Sequence, residues 1–271
     1  MEHLTARINT TSTSYFLKGQ VGPGATIIFI HGFPFNKTIW KTQIEQLPEG
    51  IGAIAYDIRG FGQSTTDHLF FSIDLFAQDL IELIEELKLD QCILCGISMG
   101  GYIALKAFEL SKEKIKGLIL SDTNCVADSN ESKQKRFAAI NQLLAGGKKE
   151  FTSGFIKNVF SEDTLATKPE VVAYLNEVIS GTSDKTICAA HLALASRTDT
   201  SKSLSEINVP VLILRGADDK LMSVEQTKQL KEGIRDSELI TITKSGHLPN
   251  LENPQEFNAA INSYLSKHFL S

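Results

Sequence analysis

Short apolar runs alternate with segments of helical periodicity along much of the chain. Continuous apolar runs of this length are typical of buried parallel strands, and they occur at residues 26–30, 52–56, 92–95, 115–120 and 209–214. Helical spacing of apolar residues separates several of them, as in residues 73–87 after a plausible N-cap at Ser72. The alternation predicts an α/β protein with a mostly parallel central sheet, right-handed crossovers and flanking helices.

Both ends of the chain add to this sheet. Residues 4–9 and 12–17 are extended and rich in Thr and Ser, which predicts an edge hairpin, and residues 21–24 break the pattern. Near the other end, the sequence predicts a helix over 224–233 and a strand over 239–242. The last helix has a clear start signal, with Asn253 as N-cap, Pro254 at the first position and Glu256 at the third.

The alternation lapses between residues 123 and 202, where no strand-like run occurs. Helical patterns replace it, at residues 135–144, 151–160, 169–179 and 185–196. An all-helical insertion after the sixth strand predicts a cap, or lid, over one end of the sheet, and such elements carry specificity and gate access. We therefore predict two domains, a core formed by residues 1–122 and 203–271 and a helical cap formed by residues 123–202.

Composition narrows the classes of function. The 271-residue chain has a formal net charge of −5 without long runs of one sign, so neither a nucleic-acid partner nor a polybasic membrane anchor is indicated. Met1–Thr5 do not begin a signal peptide, and no apolar run approaches about 18 residues, so we expect a cytoplasmic protein without membrane association. Its oligomeric state is not readable from the sequence.

The four cysteines do not predict a disulfide framework in a chain of this length. Cys92 and Cys95 have the spacing of a redox pair, but they fall on a predicted strand, where residues three apart lie on opposite faces at roughly 10 Å. We interpret them as small buried packing residues. No His, Cys, Asp or Glu grouping has metal-ligand spacing, and no nucleotide-binding glycine motif occurs. We therefore expect neither a metal nor a cofactor.

The clearest candidate for chemistry is Ser98, in the G-x-S-x-G segment Gly96-Ile97-Ser98-Met99-Gly100. An apolar strand precedes this segment and an amphipathic helix follows it, so a sharp turn must join them. A serine at the apex of such a turn presents its hydroxyl, and the glycines permit close packing of strand and helix. The context predicts a nucleophile elbow rather than a chance match.

A serine hydroxyl needs a base, and that base needs an orienting carboxylate. The partners must lie in loops at the carboxyl ends of strands, where Ser98 itself lies, and His247 and Asp219 both meet this condition. Asp218 and Asp122 remain alternative acids. The chain order Ser, Asp, His is that of α/β-hydrolases and not that of the two well-known serine protease families.

Other polar residues near the strand ends have structural interpretations. We expect Asp57 and Arg59 to form an ion pair and hydrogen bonds that hold a glycine-rich loop. His31 belongs to the loop after residues 26–30 and is interpreted as structural. His191 could line the pocket on the cap side, but a partly exposed helix position is the favoured interpretation.

The sequence resembles the α/β-hydrolase superfamily over essentially its whole length. Five segments carry the resemblance in the family's order: His31-Gly32-Phe33-Pro34, Asp57 to Ser64, Gly96 to Gly101, Gly216 to Asp219 and Gly246-His247. Within the superfamily the segments around Ser98 and His247 are similar to those of small bacterial carboxylesterases and 3-oxoadipate enol-lactonase-like enzymes. One departure is residues 220–223, where relatives often place prolines after the acid.

The resemblance implies an α/β-hydrolase fold and a role for each site residue. Ser98 is then the nucleophile, His247 the general base and acid, and Asp219 the acid that fixes the imidazole tautomer. The backbone N–H groups of Phe33 and Met99 form the oxyanion hole. Asp219 is preferred to its alternatives because it stands three residues after Gly216, as the family acid does.

These observations predict a cofactor-free serine hydrolase that cleaves a small-molecule carboxylic ester or lactone through an acyl-serine intermediate. Carbon-carbon bond hydrolases, acyltransferases and perhydrolases use the same triad and remain alternatives, as does a receptor that binds its ligand without turnover. We expect a mainly apolar acyl pocket of modest size. Most large apolar residues of the cap are expected to pack in its core: Phe137, Leu143, Phe151, Phe155, Phe160 and Leu192.

Overall fold

An eight-stranded sheet forms the centre of the molecule. The computed structural model describes residues 1–19, 22 and 24–270, so the break predicted at 21–24 falls partly outside the described residues. The strands are β1 (Glu2–Ile8), β2 (Thr11–Lys18), β3 (Ala25–Ile30), β4 (Gly52–Tyr56), β5 (Gln91–Ile97), β6 (Ile115–Ser121), β7 (Val211–Gly216) and β8 (Ser237–Ile242). Their order in the sheet is β1-β2-β4-β3-β5-β6-β7-β8.

The sheet is mostly parallel, as predicted. β1 pairs with β2 and β2 with β4 in antiparallel fashion, and every later pairing is parallel. The predicted edge hairpin is therefore confirmed. The central strands β3 and β5 are almost wholly buried, because helices cover both faces of a parallel sheet. Cys92 and Cys95 lie in β5 as free, buried thiols, which confirms their interpretation as packing residues.

Eleven α-helices are present in the described part of the chain. They are α1 (Lys41–Glu45), α2 (Ile73–Glu86), α3 (Met99–Leu110), α4 (Asn130–Leu144), α5 (Lys148–Val159), α6 (Glu162–Thr167), α7 (Pro169–Gly181), α8 (Asp184–Ala195), α9 (Val224–Gly233), α10 (Pro249–Glu252) and α11 (Pro254–His268). Two 3-10 helices, Lys37–Trp40 and Ser201–Glu206, complete the set. No helix in the described ranges is long and apolar enough to cross a bilayer.

Local capping explains several helix starts. Ser72 accepts a hydrogen bond from the N–H of Leu75 at the start of α2. Ser223 and Gln226 form a reciprocal capping box at the start of α9. Asn253 caps α11, with Pro254 in its first turn, as the sequence predicts.

Five helices, α4 to α8, lie between β6 and β7, so the helical insertion follows the sixth strand. The four predicted helices are present, and the six-residue α6 is an addition that sequence periodicity did not reveal. The segment contacts the sheet's carboxyl edge. The backbone N–H of His247, in the loop after β8, donates to the carbonyl of Val159 at the end of α5. Its action as a lid stays a prediction.

Candidate active site

Ser98 occupies the turn between β5 and α3. Its backbone has φ 55° and ψ −117°, a conformation that non-glycine residues rarely adopt and that functional sites often retain. A Cβ on Gly96 would lie 2.3 Å from the carbonyl oxygen of Gly100, and one on Gly100 would lie 2.1 Å from that of Ile30. Only glycine therefore permits this packing of helix against strands. The turn has the geometry expected of a nucleophile elbow.

His247 and Asp219 form a buried pair beside this turn. Asp219 lies in the loop after β7, and its Oδ2 is 3.0 Å from Nδ1 of His247. Asp219 is 8% exposed and His247 is 2% exposed. An ionised carboxylate can only accept a hydrogen bond, so Nδ1 carries the proton and Nε2 is left as the acceptor. This is the tautomer that a general base for a serine hydroxyl requires.

The loop after β7 favours the ionised form of Asp219. The backbone N–H groups of Leu221 and Met222 donate to its Oδ1 at 2.8 and 3.3 Å. Burial opposes ionisation, but the neighbouring His247 and these hydrogen bonds together lower the pKa of Asp219 below its ordinary value. Residues 221 and 222 lack the prolines that relatives often place after the acid, and a proline could not donate these hydrogen bonds.

Ser98 and His247 line the same cavity. No hydrogen bond joins the Ser98 hydroxyl to His247 among the residues that the structure describes. Catalytic hydrogen bonds are often long in the absence of substrate. The lack of this bond is therefore compatible with a base that engages the serine when a substrate is bound. Of the two alternative acids, Asp218 is exposed, whereas Asp122 is buried next to Asp219.

Glu252 holds the His247 loop, and sequence reasoning missed it. Its carboxylate is fully buried and accepts hydrogen bonds from the N–H groups of Gly246, Leu248 and Ser161 at 2.9, 3.1 and 2.8 Å. Ser161 belongs to the helical insertion, so one carboxylate joins that segment to the loop. From the sequence alone, a glutamate near the start of a helix is normally interpreted as a surface residue. Only its position shortly after Gly246-His247 could have indicated a role in the site.

The two residues predicted to supply the oxyanion hole, Phe33 and Met99, lie next to this turn. Met99 is the first residue of α3, where helix N–H groups lack intrahelical partners. A Cβ on Gly32 would lie 3.2 Å from Cβ of Ser98, so the loop that contains Phe33 passes directly beside the serine. Neither N–H has a backbone or side-chain acceptor in the described ranges. Their role as an oxyanion hole stays a prediction.

His31 is a structural residue of the loop after β3. Its Nδ1 bonds to the carbonyl of Gly32 at 2.8 Å, and its Nε2 accepts the N–H of Ile58 at 3.0 Å. The ring thus ties the loops after β3 and β4 together. Burial lowers the pKa of His31 to about 4, so the ring is neutral near neutral pH.

Asp57 and Arg59 are structural, but the predicted ion pair between them is wrong. Asp57 pairs with the buried Lys37 at 2.6 Å and accepts the N–H of Gln63 at 2.8 Å, whereas Arg59 pairs with Asp79 at 2.6 Å. Both partners come from elements distant in sequence. Two separate buried pairs therefore hold the glycine-rich loop.

A cavity of about 640 Å³ lies between the sheet edge and the helical insertion. Apolar walls come from both sides: Phe33, Tyr102, Ala139, Phe151, Phe155, Leu194, Leu221 and Met222. Exposed polar residues surround the opening, namely Lys135, Gln142, Glu150, Asn158 and Lys220. The cavity as a whole therefore has a mixed lining, with polar residues from α4 and α5. A mainly apolar acyl pocket within it stays a prediction.

The large apolar residues of the insertion divide into three groups. Leu143 and Phe160 are buried, as expected of packing residues, whereas Phe151 and Phe155 line the cavity and stack at a ring-centroid distance of 5.8 Å. Phe137 and Leu192 are 48% and 41% exposed. Core packing is therefore wrong for these last two residues.

His191 also differs from its favoured interpretation as a partly exposed residue. It is 5% exposed and lines the cavity, with its ring centroid 4.6 Å from that of Phe33. Both ring nitrogens are buried without a hydrogen-bond partner among the described residues. Burial, reinforced by Arg136, lowers the pKa of His191 to about 3, so the ring is neutral near neutral pH.

Asp122, Asp219 and His247 are residue types that bind metals, and their potential ligand atoms lie within 4.8 Å of one another. However, Nδ1 of His247 is bonded to Asp219, and both carboxyl groups already accept backbone N–H groups. The arrangement is accounted for by hydrogen bonds within the group and to the backbone.

Known proteins are similar to this chain over nearly its full length. The sequence profile described as alpha/beta hydrolase fold matches residues 25–254. The AB hydrolase superfamily protein YisY of Bacillus subtilis is 31% identical, over 89% of this chain and 92% of its own. The 3-oxoadipate enol-lactonase 2 of Acinetobacter baylyi is 28% identical, over 97% and 96%. A solved thermophilic esterase from Thermogutta terrifontis superposes with a TM-score of 0.91 at 29% identity, covering 99% of this chain and all of that one.

Proposed function

Since this chain belongs to the alpha/beta hydrolase fold family, we propose that it is a serine hydrolase that cleaves a small carboxylic ester or lactone through an acyl-serine intermediate. The observation that carries the proposal is the buried pair of Asp219 and His247, 3.0 Å apart, on the wall of the cavity that Ser98 also lines. The esterase and enol-lactonase names among its relatives support ester chemistry.

In this proposal Ser98 attacks the substrate carbonyl while Nε2 of His247 takes the hydroxyl proton. Asp219 stabilises the resulting imidazolium and holds the ring in place. Collapse of the tetrahedral intermediate expels the alcohol, which receives the proton from His247, and leaves the acyl group on Ser98. Water, deprotonated by the same imidazole, then releases the acid and restores the serine. A lactone follows the same steps, with the leaving hydroxyl still attached to the acyl chain.

The backbone N–H groups of Phe33 and Met99 stabilise the oxyanion in both tetrahedral intermediates. The loss of one such donor typically raises the barrier by about 3 to 4 kcal/mol. These donors belong to the backbone, so substitution of either side chain would leave them in place. Proline at position 99 would remove one donor outright.

We also propose that residues 123–202 act as a cap over the core formed by residues 1–122 and 203–271. The aromatic rings of Phe151 and Phe155 would contact the acyl group, and the exposed polar residues at the mouth would meet the part of the substrate that stays near solvent. Selection of the substrate would then depend on the insertion, and bond cleavage on the sheet edge.

A panel of chromogenic esters with acyl chains of two to eight carbons, together with a simple lactone, tests the proposal. The wild type and Ser98→Ala are assayed side by side, with circular dichroism to show that both are folded. We expect turnover by the wild type and a loss of at least about a thousandfold in the variant. Equal activity in both proteins would contradict the proposal. A folded wild type that binds substrates of the panel but cleaves none of them would also contradict it.

A further inference from the structure

A second buried carboxyl group lies beside the pair of Asp219 and His247. Asp122 directly follows β6, the strand next to β7, and is 1% exposed. Its carboxyl oxygens, those of Asp219 and the ring nitrogens of His247 include three atoms within 4.8 Å of one another. Nothing in the proposed reaction accounts for this second acid.

The hydrogen-bond donors are divided unequally between the two carboxyl groups. Asp219 receives two backbone N–H groups and the Nδ1–H of His247. Asp122 receives one backbone N–H, from Gly216 at 2.8 Å, and contacts the Ser121 hydroxyl at 2.7 Å. No ion pair involves Asp122 in the part of the chain that the structure describes.

Two carboxylates this close cannot both remain ionised in a buried environment, so one of them holds a proton. The donors around Asp219 favour the charged form there. Asp122 is the group that burial and the neighbouring negative charge disfavour as an anion, and together they raise its pKa well above the usual range. The titratable groups next to it are Asp219 and His247. The guanidinium of Arg215 donates instead to the backbone carbonyls of Gly216 and Asp219.

The backbone at Asp122 supports a specific placement of this group. Its φ is 44°, in the left-handed region that residues other than glycine rarely adopt. The preceding residue, Ser121, accepts the backbone N–H of Ser98 at 2.9 Å through its carbonyl, and the N–H of Asp122 donates to Leu214 in β7. The same two residues thus connect the strand that bears the serine with the strand that leads to the acid.

We propose that Asp122 is protonated and donates a hydrogen bond from its carboxyl O–H to the carboxylate of Asp219, which makes it a positioning residue for the acid of the triad. The inference rests on the proposed serine hydrolase for its catalytic meaning, although the protonation itself does not depend on it. Asp122 would then add a further donor to the Asp219 carboxylate, besides the backbone N–H groups and His247. It leaves Asp219 as the one negative charge that stabilises the imidazolium.

Kinetics of three variants test the role. Asp122→Asn keeps a donor, Asp122→Leu has similar size without one, and Asp219→Asn is the matched change in the acid itself. We expect kcat of Asp122→Asn to exceed that of Asp122→Leu by about tenfold, with KM much less affected, and the acid limb of its pH profile to stay within about 0.3 pH units of the wild type. Asp219→Asn should be by far the slowest.

The opposite result has a distinct signature. If Asp122 were an ionised acid, the neutral Asn would remove a negative charge near His247. The acid limb would then move down by about one pH unit, and Asp122→Asn would lose as much activity as Asp122→Leu. Either outcome would overturn the proposal.

A readout independent of turnover separates this inference from the proposed function. Protein labelled with carbon-13 at the aspartate carboxyl groups is titrated by NMR between pH 5 and 8, as wild type and Asp122→Asn. We expect one aspartate signal of the wild type to keep the chemical shift of a protonated carboxyl group throughout, and the same signal to be missing in the variant. A wild type in which every aspartate is ionised at pH 7 would overturn the inference, whether or not the protein hydrolyses esters.

Discussion

The two walls of the cavity differ in how their polar atoms are bonded. On the sheet side, His247, Asp219, Asp122 and Glu252 are all buried, and hydrogen bonds from neighbouring backbone groups hold the three acids. On the helical side, His191 is equally buried, but neither of its ring nitrogens has a partner in the described structure. The first wall is organised before a substrate arrives, whereas the second is built mainly from aromatic contacts.

This difference matches two different tasks. Stabilisation of charge in a transition state requires dipoles and charges that are already in place. Selection of a substrate requires shape and apolar contact, which helices of an insertion can change without disturbing the sheet. Variants on the sheet side should therefore affect turnover strongly, and variants on the helical side should affect stability or preference.

The largest effect is expected for Asp219→Asn. The amide cannot hold the imidazolium and favours the wrong tautomer of His247, which in a comparable triad lowers kcat by about 10⁴-fold. Steady-state kinetics with the best ester of the panel, together with thermal unfolding, measure this change. Near-normal activity in a folded variant would transfer the role of acid to Asp218 or Asp122.

Glu252→Gln tests whether the loop of His247 depends on its buried carboxylate. The amide keeps one acceptor but places an NH₂ group against a backbone N–H, so we expect a loss of about 3 kcal/mol in the free energy of unfolding, with lower kcat. Denaturant unfolding measures it. Glu82→Gln, at an exposed position of α2, is the control and should change little; equal stability of both variants would refute the role.

His191→Leu tests the helical wall through pH. Burial keeps the pKa of His191 at about 3, so between that value and about 6.5 the unfolded chain binds a proton that the folded protein does not. Stability is therefore lost as the pH falls through this window. Between pH 7 and pH 5 the wild type should lose about 2 kcal/mol more than the variant, because His31 contributes equally to both.

Denaturant unfolding of the two proteins at each pH gives this difference directly. At pH 7 the variant should be at least as stable as the wild type, since it removes two unpaired buried nitrogens. An identical loss on acidification in both proteins would show that His191 titrates normally in the folded state.

The smallest effect is expected for Phe155→Ala. Removal of this ring enlarges the cavity on the helical side, so the preferred acyl chain should lengthen by a few carbons, with a change in kcat/KM of less than about tenfold for each ester. Phe137→Ala is the matched control, because Phe137 is 48% exposed and does not line the cavity. An unchanged chain-length profile in Phe155→Ala would remove this residue from the acyl site.

Capping residues and the topology of a parallel sheet account for what could be predicted from the sequence. The start of α9 at Val224 and that of α11 at Pro254 follow from capping residues in the chain itself. The convergence of Ser98, Asp219 and His247 follows from topology, because the carboxyl ends of parallel strands meet at one edge of the sheet. Six-residue helices such as α6 are too short for periodicity to reveal.

Long-range packing decided the features that the sequence did not reveal. Asp57 pairs with Lys37, and Arg59 pairs with Asp79. Neither pairs with the other, because the fold places an oppositely charged side chain from another element beside each of them. The burial of His191 depends on how α8 packs against the loop of Phe33. A single sequence carries no direct record of such contacts.

The most direct test of the central claim is the reaction of Ser98 with a fluorophosphonate probe, followed by intact mass and peptide mapping. Only a serine activated by its base reacts rapidly with such a reagent. We predict a single adduct on the peptide that contains Ser98, its absence in Ser98→Ala, and much slower labelling in Asp219→Asn. A folded wild type that gains no adduct, or equal labelling of Ser98→Ala, would contradict the assignment of Ser98 as the nucleophile.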